Sequence, residues 1–152
     1  MLPQLSLVLV GSANIPASTG ALQEDPAVTI TGRVDDVQPY YYGSSVCIAP
    51  LLSGSGTRLK ILEAMSFGNP VVSTGIGAEG IDAQAGRHIL IGDDPQSFAE
   101  NIRLLLTDKA LYGNIQKAGR ALVEAKYDWE KLGYDMNGAI AHLNIQQDGQ
   151  PG

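Results

Sequence analysis

The segment from Leu51 to Gly80, LLSGSGTRLKILEAMSFGNPVVSTGIGAEG, decides the fold class. It contains a loop of small residues, a helix predicted over 57–67, an apolar strand predicted over 70–74 and a second glycine-rich loop. The strand PVVST is apolar in succession, which is typical of a strand that is buried on both faces in a parallel sheet. This order of elements predicts an α/β fold.

The same alternation continues on both sides of that segment. Further strands are predicted over 5–10, 27–34, 46–50 and 87–92, and helices are predicted after Asp35 or Asp36, from Asp94, from about Asp108 and from Asp128 to Ile145. Short buried strands that alternate with helices indicate a parallel sheet. We expect one domain over residues 1–145 and a disordered tail over 146–152.

Composition excludes several classes of protein. The chain has 152 residues, 44% of them apolar and 17% charged, so a packed core is expected. The net charge of −6 argues against a nucleic-acid partner, because phosphate backbones are bound by basic surfaces. Cys47 is the single cysteine, and neither a membrane-spanning run nor a secretion signal is recognised. We therefore expect a cytoplasmic protein.

The glycine-rich loops are predicted to share one edge of the sheet. In open α/β folds, ligands bind beyond the carboxyl ends of the parallel strands. Gly11, Gly32 and the loops at 54–56 and 75–77 all follow predicted strands. This edge is the expected ligand site.

The start of the helix predicted over 57–67 has an unusual charge pattern. A helix N-terminus favours acidic residues, whereas this one carries Arg58 and Lys60 and no carboxylate. The small residues of the preceding loop would let backbone amides approach a phosphate or diphosphate. Glu63 could accept two hydrogen bonds from a ribose diol. The alternative is that the cations are ordinary surface residues and that Glu63 pairs with Lys60 on the helix surface.

The loop GIGAEG, Gly75 to Gly80, matches the G-x-G-x-x-G dinucleotide fingerprint. That fingerprint requires a full helix before the next strand. Only residues 81–86 separate Gly80 from the next predicted strand, which is too short for a helical crossover. The loop is therefore interpreted as a backbone wall beside the ligand site, and NAD binding is disfavoured.

The segments GRVDDVQPYYYGSSVCIAPLLS and GSGTRLKILEAMSFGNPVVSTGIGAEGI together resemble the C-terminal, donor-binding half of a family 4 retaining glycosyltransferase of the GT-B fold. The resemblance covers about residues 5–140. It implies a Rossmann-like domain that lacks its first βα unit, and it implies that the chain is a fragment of a larger enzyme. It also implies a hexosyltransferase that moves a sugar from a nucleotide-diphosphate sugar with retained anomeric configuration.

The resemblance also implies roles for individual residues. The family has two glutamates separated by seven residues; the second matches Glu63, which would hold the donor ribose, and Ser55 stands in place of the first, which leaves the contacts to the transferred sugar open. The other implied nucleotide-sugar contacts are Gly56 and Thr57 at the diphosphate, Gly32 and Arg33 beside the base, and Gly11 beside the nucleotide. Arg58 and Lys60 are candidate contacts from the charge pattern of the helix start.

The resemblance extends to partners and cofactors. The acceptor, a glycan or a glycolipid, would be bound by the absent N-terminal domain, so the fragment alone is expected to be inactive, and the full enzyme could associate peripherally with a membrane. No metal or other cofactor is expected, since the chain has no Asp-x-Asp triplet. Two alternatives stay open: another nucleotide-binding α/β module, of the sugar-nucleotide epimerase or NAD-binding kind, and a non-catalytic interaction domain.

Overall fold

The computed structural model describes residues 5–11, 22, 24–53 and 59–127 of the chain. Strands alternate with helices from residue 28 to residue 107, and one further helix follows. The strands are β1 (Leu7–Leu9), β2 (Val28–Ile30), β3 (Cys47–Ala49), β4 (Val71–Ser73) and β5 (Leu90–Ile91); the helices are α1 (Gln38–Gly43), α2 (Leu59–Ser66), α3 (Gly75–Ala78), α4 (Pro95–Thr107) and α5 (Lys109–Lys126). β1 pairs with β2, and β3, β4 and β5 form a second sheet in that order, all in parallel. The predicted α/β fold with parallel sheets flanked by helices is confirmed.

Strand β4 is the centre of the larger sheet and is buried on both faces. Val71 and Val72 are 1% and 0% exposed. Val71 belongs to a first core cluster, composed of Ile61, Leu62, Ala64, Met65, Val71, Ile89 and Val123. Val72 belongs to a second core cluster, composed of Val72, Leu90, Leu105 and Ile115. Because successive side chains of a strand point to opposite faces, the two valines anchor the two clusters.

The two-stranded sheet is more exposed than the sequence predicts. The apolar run over 5–10 suggests a strand covered on both faces, yet Val8 is 41% exposed and Ile30 of β2 is 36% exposed. The described helices pack mainly on the sheet of β3, β4 and β5. The burial prediction for β1 is therefore wrong within the described part of the chain, because apolar composition reports a tendency to be covered and not the presence of a covering element.

Helices α4 and α5 begin where the sequence predicts. Asp94 is the N-cap of α4, where its carboxylate accepts hydrogen bonds from the amides of Gln96 and Ser97, both at 2.9 Å, and Pro95 occupies the first turn. Asp108 caps α5 in the same way, with 2.9 Å bonds from the amides of Ala110 and Leu111. The cap of α1 differs, because Val37 is its N-cap and Asp36 accepts a 2.9 Å bond from the amide of Gln38.

The glycine-rich segment after β4 contains a short helix where the sequence predicts a loop. Thr74 caps α3, and its hydroxyl accepts a 3.0 Å hydrogen bond from the amide of Gly77. A turn and a short loop then lead directly into β5. The connection from β4 to β5 therefore has no long helix, which supports the argument against a dinucleotide fingerprint.

The end of α2 is fixed by glycine and by contacts to other helices. Gly68 has a positive φ of 78°, and its amide bonds to the carbonyl of Met65 at 3.0 Å. The side chain of Gln116, on α5, donates to the carbonyl of Gly68 at 2.8 Å. Helix α2 is thus held against α5 at its C-terminal end.

The helix predicted from Asp128 to Ile145 and the tail over 146–152 lie outside the described residues. The single domain over 1–145 stays a prediction. Within the described part of the chain, no helix is long and apolar enough to cross a membrane.

Substituting Gly77→Ala should destabilise the fold by about 1–3 kcal/mol, because a new side chain there overpacks the sheet. An added Cβ would lie 2.3 Å from Oγ of Ser73 and 3.0 Å from the carbonyl oxygen of Ala49. Chemical denaturation monitored by circular dichroism measures the change. Gly113→Ala is the matched control, because a Cβ in that position of α5 meets nothing within 4 Å. Alanine is a better helix former than glycine, so this substitution should stabilise the chain by about 0.5–1 kcal/mol. Changes of equal sign in the two variants would contradict the packing argument.

The cap of α4 should make folding stability depend on pH. The hydroxyl of Ser97 donates to Asp94, and this bond together with the amide bonds holds the pKa of that carboxyl below its usual 3.8. A depressed folded pKa contributes stability that is present above the unfolded pKa and is lost as pH falls through the folded pKa. Asp94→Asn keeps a capping side chain without the ionisation.

We therefore expect wild type to exceed Asp94→Asn in unfolding free energy near neutral pH, with a smaller difference at about pH 3. Urea denaturation of both proteins at the two pH values measures it. An equal difference at both pH values would show that the ionised carboxylate contributes nothing beyond its geometry.

Candidate functional site

The carboxyl ends of β1 and β2 are joined through two glycines. The amide of Gly11 donates to the carbonyl of Gly32 at 3.0 Å and lies 3.3 Å from the hydroxyl oxygen of Thr31. Both glycines have positive φ, 118° and 67°. The sequence places Gly11 and Gly32 at one edge, and the structure brings them into contact. Arg33 follows Gly32 and is exposed to solvent.

The carboxyl ends of β3, β4 and β5 are also tied together. The hydroxyl of Thr74, after β4, donates to the carbonyl of Leu51, after β3. The amide of Gly75 donates to Oδ1 of Asp93, after β5, at 2.6 Å. These two bonds tie the carboxyl ends of the three strands together at one rim of the larger sheet.

Helix α2 carries two further predicted site residues, Lys60 and Glu63. Its first turn holds no acidic residue, and Lys60 is exposed there. Ser55, Gly56, Thr57 and Arg58 lie outside the described residues, so their predicted contacts stay predictions. The first turn of α2 therefore carries a cation and no carboxylate, as the sequence predicts.

Glu63 has a defined partner in the protein. Its side chain is half-buried, and its Oε2 accepts a hydrogen bond from the hydroxyl of Tyr41 at 3.0 Å. Tyr41 lies in α1, 22 residues earlier. The phenol is an uncharged donor, and its single hydrogen bond leaves most of the acceptor positions of Glu63 open.

The alternative pairing of Glu63 with Lys60 is not formed. In the described ranges, ion pairs join Arg103 to Glu100, Arg120 to Glu124 and Lys126 to Asp82. Lys60 and Glu63 both belong to those ranges and are not paired with each other. The positive charge of Lys60 is thus available to a ligand.

Tyr41 is itself held from two further sides. Its ring stacks on Phe67 with centroids 4.9 Å apart and planes 9° from parallel. Its carbonyl accepts a 2.9 Å hydrogen bond from the side-chain amide of Asn69, which is only 6% exposed. Burial, the hydrogen bond to Glu63 and the charge of Glu63 raise the pKa of Tyr41 above its usual range. The phenol therefore remains a protonated donor at working pH.

Tyr41 and Asp93 are not among the site residues predicted from the sequence. Tyr41 is one of three consecutive tyrosines, and nothing in the sequence distinguishes the one that faces a residue 22 positions away. Asp93 is assigned no site role from the sequence. Its position after a predicted strand is the signal that could place it at the rim. Cys47, the single cysteine, packs beside the first core cluster, and burial raises the pKa of its thiol to about 11.

Comparison with known proteins identifies the family. The family described as "Glycosyl transferases group 1" matches residues 2–108. A 44.6 kDa protein of Klebsiella pneumoniae, described as an uncharacterized protein in the cps region, is 40% identical over 100 residues; the match covers 64% of this chain and 25% of that protein.

Solved structures have the same fold. HepE (Alr3699) of Anabaena, solved in complex with UDP-glucose, superposes with a TM-score of 0.78 at 18% identity, covering 92% of this chain and 42% of HepE. Sucrose-phosphate synthase of Thermosynechococcus elongatus superposes with a TM-score of 0.77 at 26% identity, covering 93% of this chain and 39% of the synthase. These neighbours are GT-B glycosyltransferases, and the fold is consistent with the C-terminal half of a GT-B enzyme.

The chain spans 25% of the Klebsiella protein, 42% of HepE and 39% of sucrose-phosphate synthase. The family match itself covers most of the chain, including both sheets, α2 and its Glu63. This chain belongs to the glycosyl transferases group 1 family.

Proposed function

We propose that this chain is the domain that binds the nucleotide-sugar donor of a glycosyltransferase. Family membership supports sugar transfer as the reaction class. HepE, which shares the fold, was solved with UDP-glucose, with UDP and glucose, and with UDP. A uridine diphosphate sugar is therefore the first donor to test.

The observation that carries this proposal is the state of Glu63. It is a half-buried carboxylate near the start of a helix, and a neutral phenol holds it in place of a cation. A single hydrogen bond from Tyr41 leaves Oε1 and further lone pairs for ligand hydroxyls. A vicinal diol, such as that of ribose, is well suited to these acceptors. We assign the donor ribose to Glu63.

The diphosphate belongs at the start of α2. Lys60 supplies a positive charge in the first turn that no ion pair among the described residues neutralises, and the helix N-terminus adds partial positive charge. Gly56 and Thr57 would supply backbone amides, Arg58 would add a second cation, and Ser55 would lie near the transferred sugar. At the other sheet, Gly32, Arg33 and Gly11 would line the base side of the nucleotide. The roles of Lys60 and Arg58 rest on the charge pattern of the helix start, and the other assignments carry over the family resemblance residue by residue.

The finer features of the reaction are part of the same proposal. Transfer would retain the anomeric configuration, and the acceptor would be a glycan or a glycolipid bound by another part of the enzyme. Positioning of the donor and stabilisation of the departing diphosphate would supply the catalysis, with α2 and Lys60 acting on the developing charge. A cytoplasmic location and donor binding without a metal remain predictions from the sequence.

A nucleoside diphosphate should stabilise the chain, and Glu63→Gln should remove most of that effect. A ligand at ~100 times its dissociation constant adds about 2.7 kcal/mol to the unfolding free energy. The glutamine side chain has about the same size but no charge, so its hydrogen bonds to a diol are weaker. Thermal shift with UDP, GDP, ADP and NAD measures the effect and identifies the base.

Glu124→Gln is the matched control, since Glu124 lies on α5 in a surface ion pair with Arg120. This variant should respond to the nucleotide as wild type does. Stabilisation by NAD alone would overturn the proposal in favour of a dehydrogenase-like module. The absence of stabilisation by any of the four ligands would overturn donor binding by this chain.

Lys60→Gln should weaken binding of the diphosphate and leave the nucleoside unaffected. The lysine lies at the helix start and carries a charge with no ion-pair partner among the described residues. We expect UDP affinity to fall about tenfold at low salt, with a smaller loss at high salt because of screening. Calorimetric titration with UDP and with uridine measures both. Lys117→Gln, an exposed position of α5, is the control. An equal loss for uridine would exclude a role for Lys60 at the phosphates.

A further inference from the structure

We propose that Tyr41 is a positioning residue for Glu63, so that the ribose of the donor is recognised by a tyrosine–glutamate pair from two helices. This inference rests on the proposed function, because it assigns the ribose to Glu63. The hydroxyl of Tyr41 donates to Oε2 of Glu63 at 3.0 Å, from α1 to α2. This hydrogen bond occupies Oε2 of Glu63 and leaves Oε1 for the ligand.

The position of the Tyr41 hydroxyl is fixed by contacts that do not involve Glu63. The ring stacks on Phe67, one residue beyond the end of α2, at a centroid distance of 4.9 Å. The side-chain amide of Asn69 donates to the carbonyl of Tyr41. The backbone amide of Asn69 donates to the carbonyl of Ala64 in α2 at 2.9 Å. The tyrosine is therefore anchored to the same helix that carries Glu63, and its hydroxyl is a fixed reference point for the carboxylate.

A glutamate on a helix has several rotatable bonds, and ordering it on ligand binding reduces affinity. The bond from Tyr41 selects one orientation before the ligand arrives. Preorganisation of this kind raises affinity without adding a contact to the ligand. Oε1 and the remaining lone pairs of Oε2 then face a ribose with their geometry already set.

The chemistry of the pair suits this role. Burial and the neighbouring carboxylate raise the pKa of Tyr41, so the phenol donates its proton across the working pH range and does not compete as an anion. A lysine in its place would neutralise the carboxylate and weaken its attraction for hydroxyl donors. The phenol orients Glu63 without that neutralisation.

The variant Tyr41→Phe separates the positioning of Glu63 from the folding of the chain. Tyr41→Phe keeps the aromatic ring, the stacking on Phe67 and the backbone bond from Asn69, and it removes the hydroxyl. We therefore expect little change in the melting temperature of the ligand-free protein. The loss should appear in recognition of the ribose hydroxyls.

The test compares UDP with 2′-deoxy-UDP by calorimetric titration of the full chain. Wild type should bind UDP about tenfold more tightly than the deoxy form, since one hydroxyl bond to a carboxylate is lost. Glu63→Gln should reduce this preference towards unity, and Tyr41→Phe should reduce it to about threefold. If thermal shift identifies GDP or ADP as the ligand, that nucleotide and its own 2′-deoxy form are the probes.

Tyr42→Phe is the matched control, because Tyr42 is the next residue of α1, is 72% exposed and touches the same Phe67 ring edge-on. It should keep the wild-type preference. In the double variant Tyr41→Phe/Glu63→Gln, the effect on the preference should be no larger than in Glu63→Gln alone, since Tyr41 acts through Glu63.

The outcomes distinguish the two proposals. A preference lost in Glu63→Gln but unchanged in Tyr41→Phe would overturn the positioning role and leave donor binding intact. An equal loss of UDP and 2′-deoxy-UDP affinity in Tyr41→Phe would show a merely structural effect, and would also overturn it. Failure of wild type to bind any nucleoside diphosphate would overturn the proposed function and this inference together.

Discussion

Burial of β4 on both of its faces is the constraint on which the rest of the structure depends. A strand with Val71 and Val72 almost fully enclosed needs a covering layer on each side. Helix α2 and part of α5 supply one layer, and α4 with the remainder of α5 supplies the other. Once both layers are in place, parallel β3 and β5 have positions on either side of β4, and all three strands end at one rim.

The same constraint places the candidate site. Helix α2 must pack its apolar face, including Ile61 and Met65, against β4, so its opposite side and its N-terminus are directed away from the core. Lys60 and Glu63 occupy those positions. The C-terminal end of α2 is fastened by Asn69 to α1 and by Gln116 to α5. The polar residues of the site are therefore carried by a helix whose own placement depends on the core.

Much of this arrangement follows from the sequence, because its strongest signals are local. Apolar periodicity gives the order of strands and helices, and Asp94 and Asp108 give the starts of α4 and α5 within one residue. The charge pattern of one helical turn points to Lys60 and Glu63. The observed strands are shorter than the predicted ones, and β5 has only two residues. Backbone pairing between strands extends only as far as both partners run side by side.

What the sequence cannot supply is long-range. The contact of Tyr41 with Glu63 and that of Asp93 with the amide of Gly75 each join residues 18 or more positions apart, so they depend on the tertiary fold. The exposure of Val8 is also a tertiary property, because apolar residues look the same whether or not another element covers them. The family resemblance implies roles for Ser55, Gly56 and Thr57, which lie outside the described residues, as does Arg58.

Helix α5 contributes to both core clusters, with Ile115 in the second and Val123 in the first. The two faces of the larger sheet therefore do not behave as independent units: a fluctuation that releases α5 exposes apolar surface on both sides of β4 at once. Such coupling favours all-or-none unfolding of the described helices and the larger sheet. The residues that support the candidate site and those on the far face of the sheet thus share one cooperative unit.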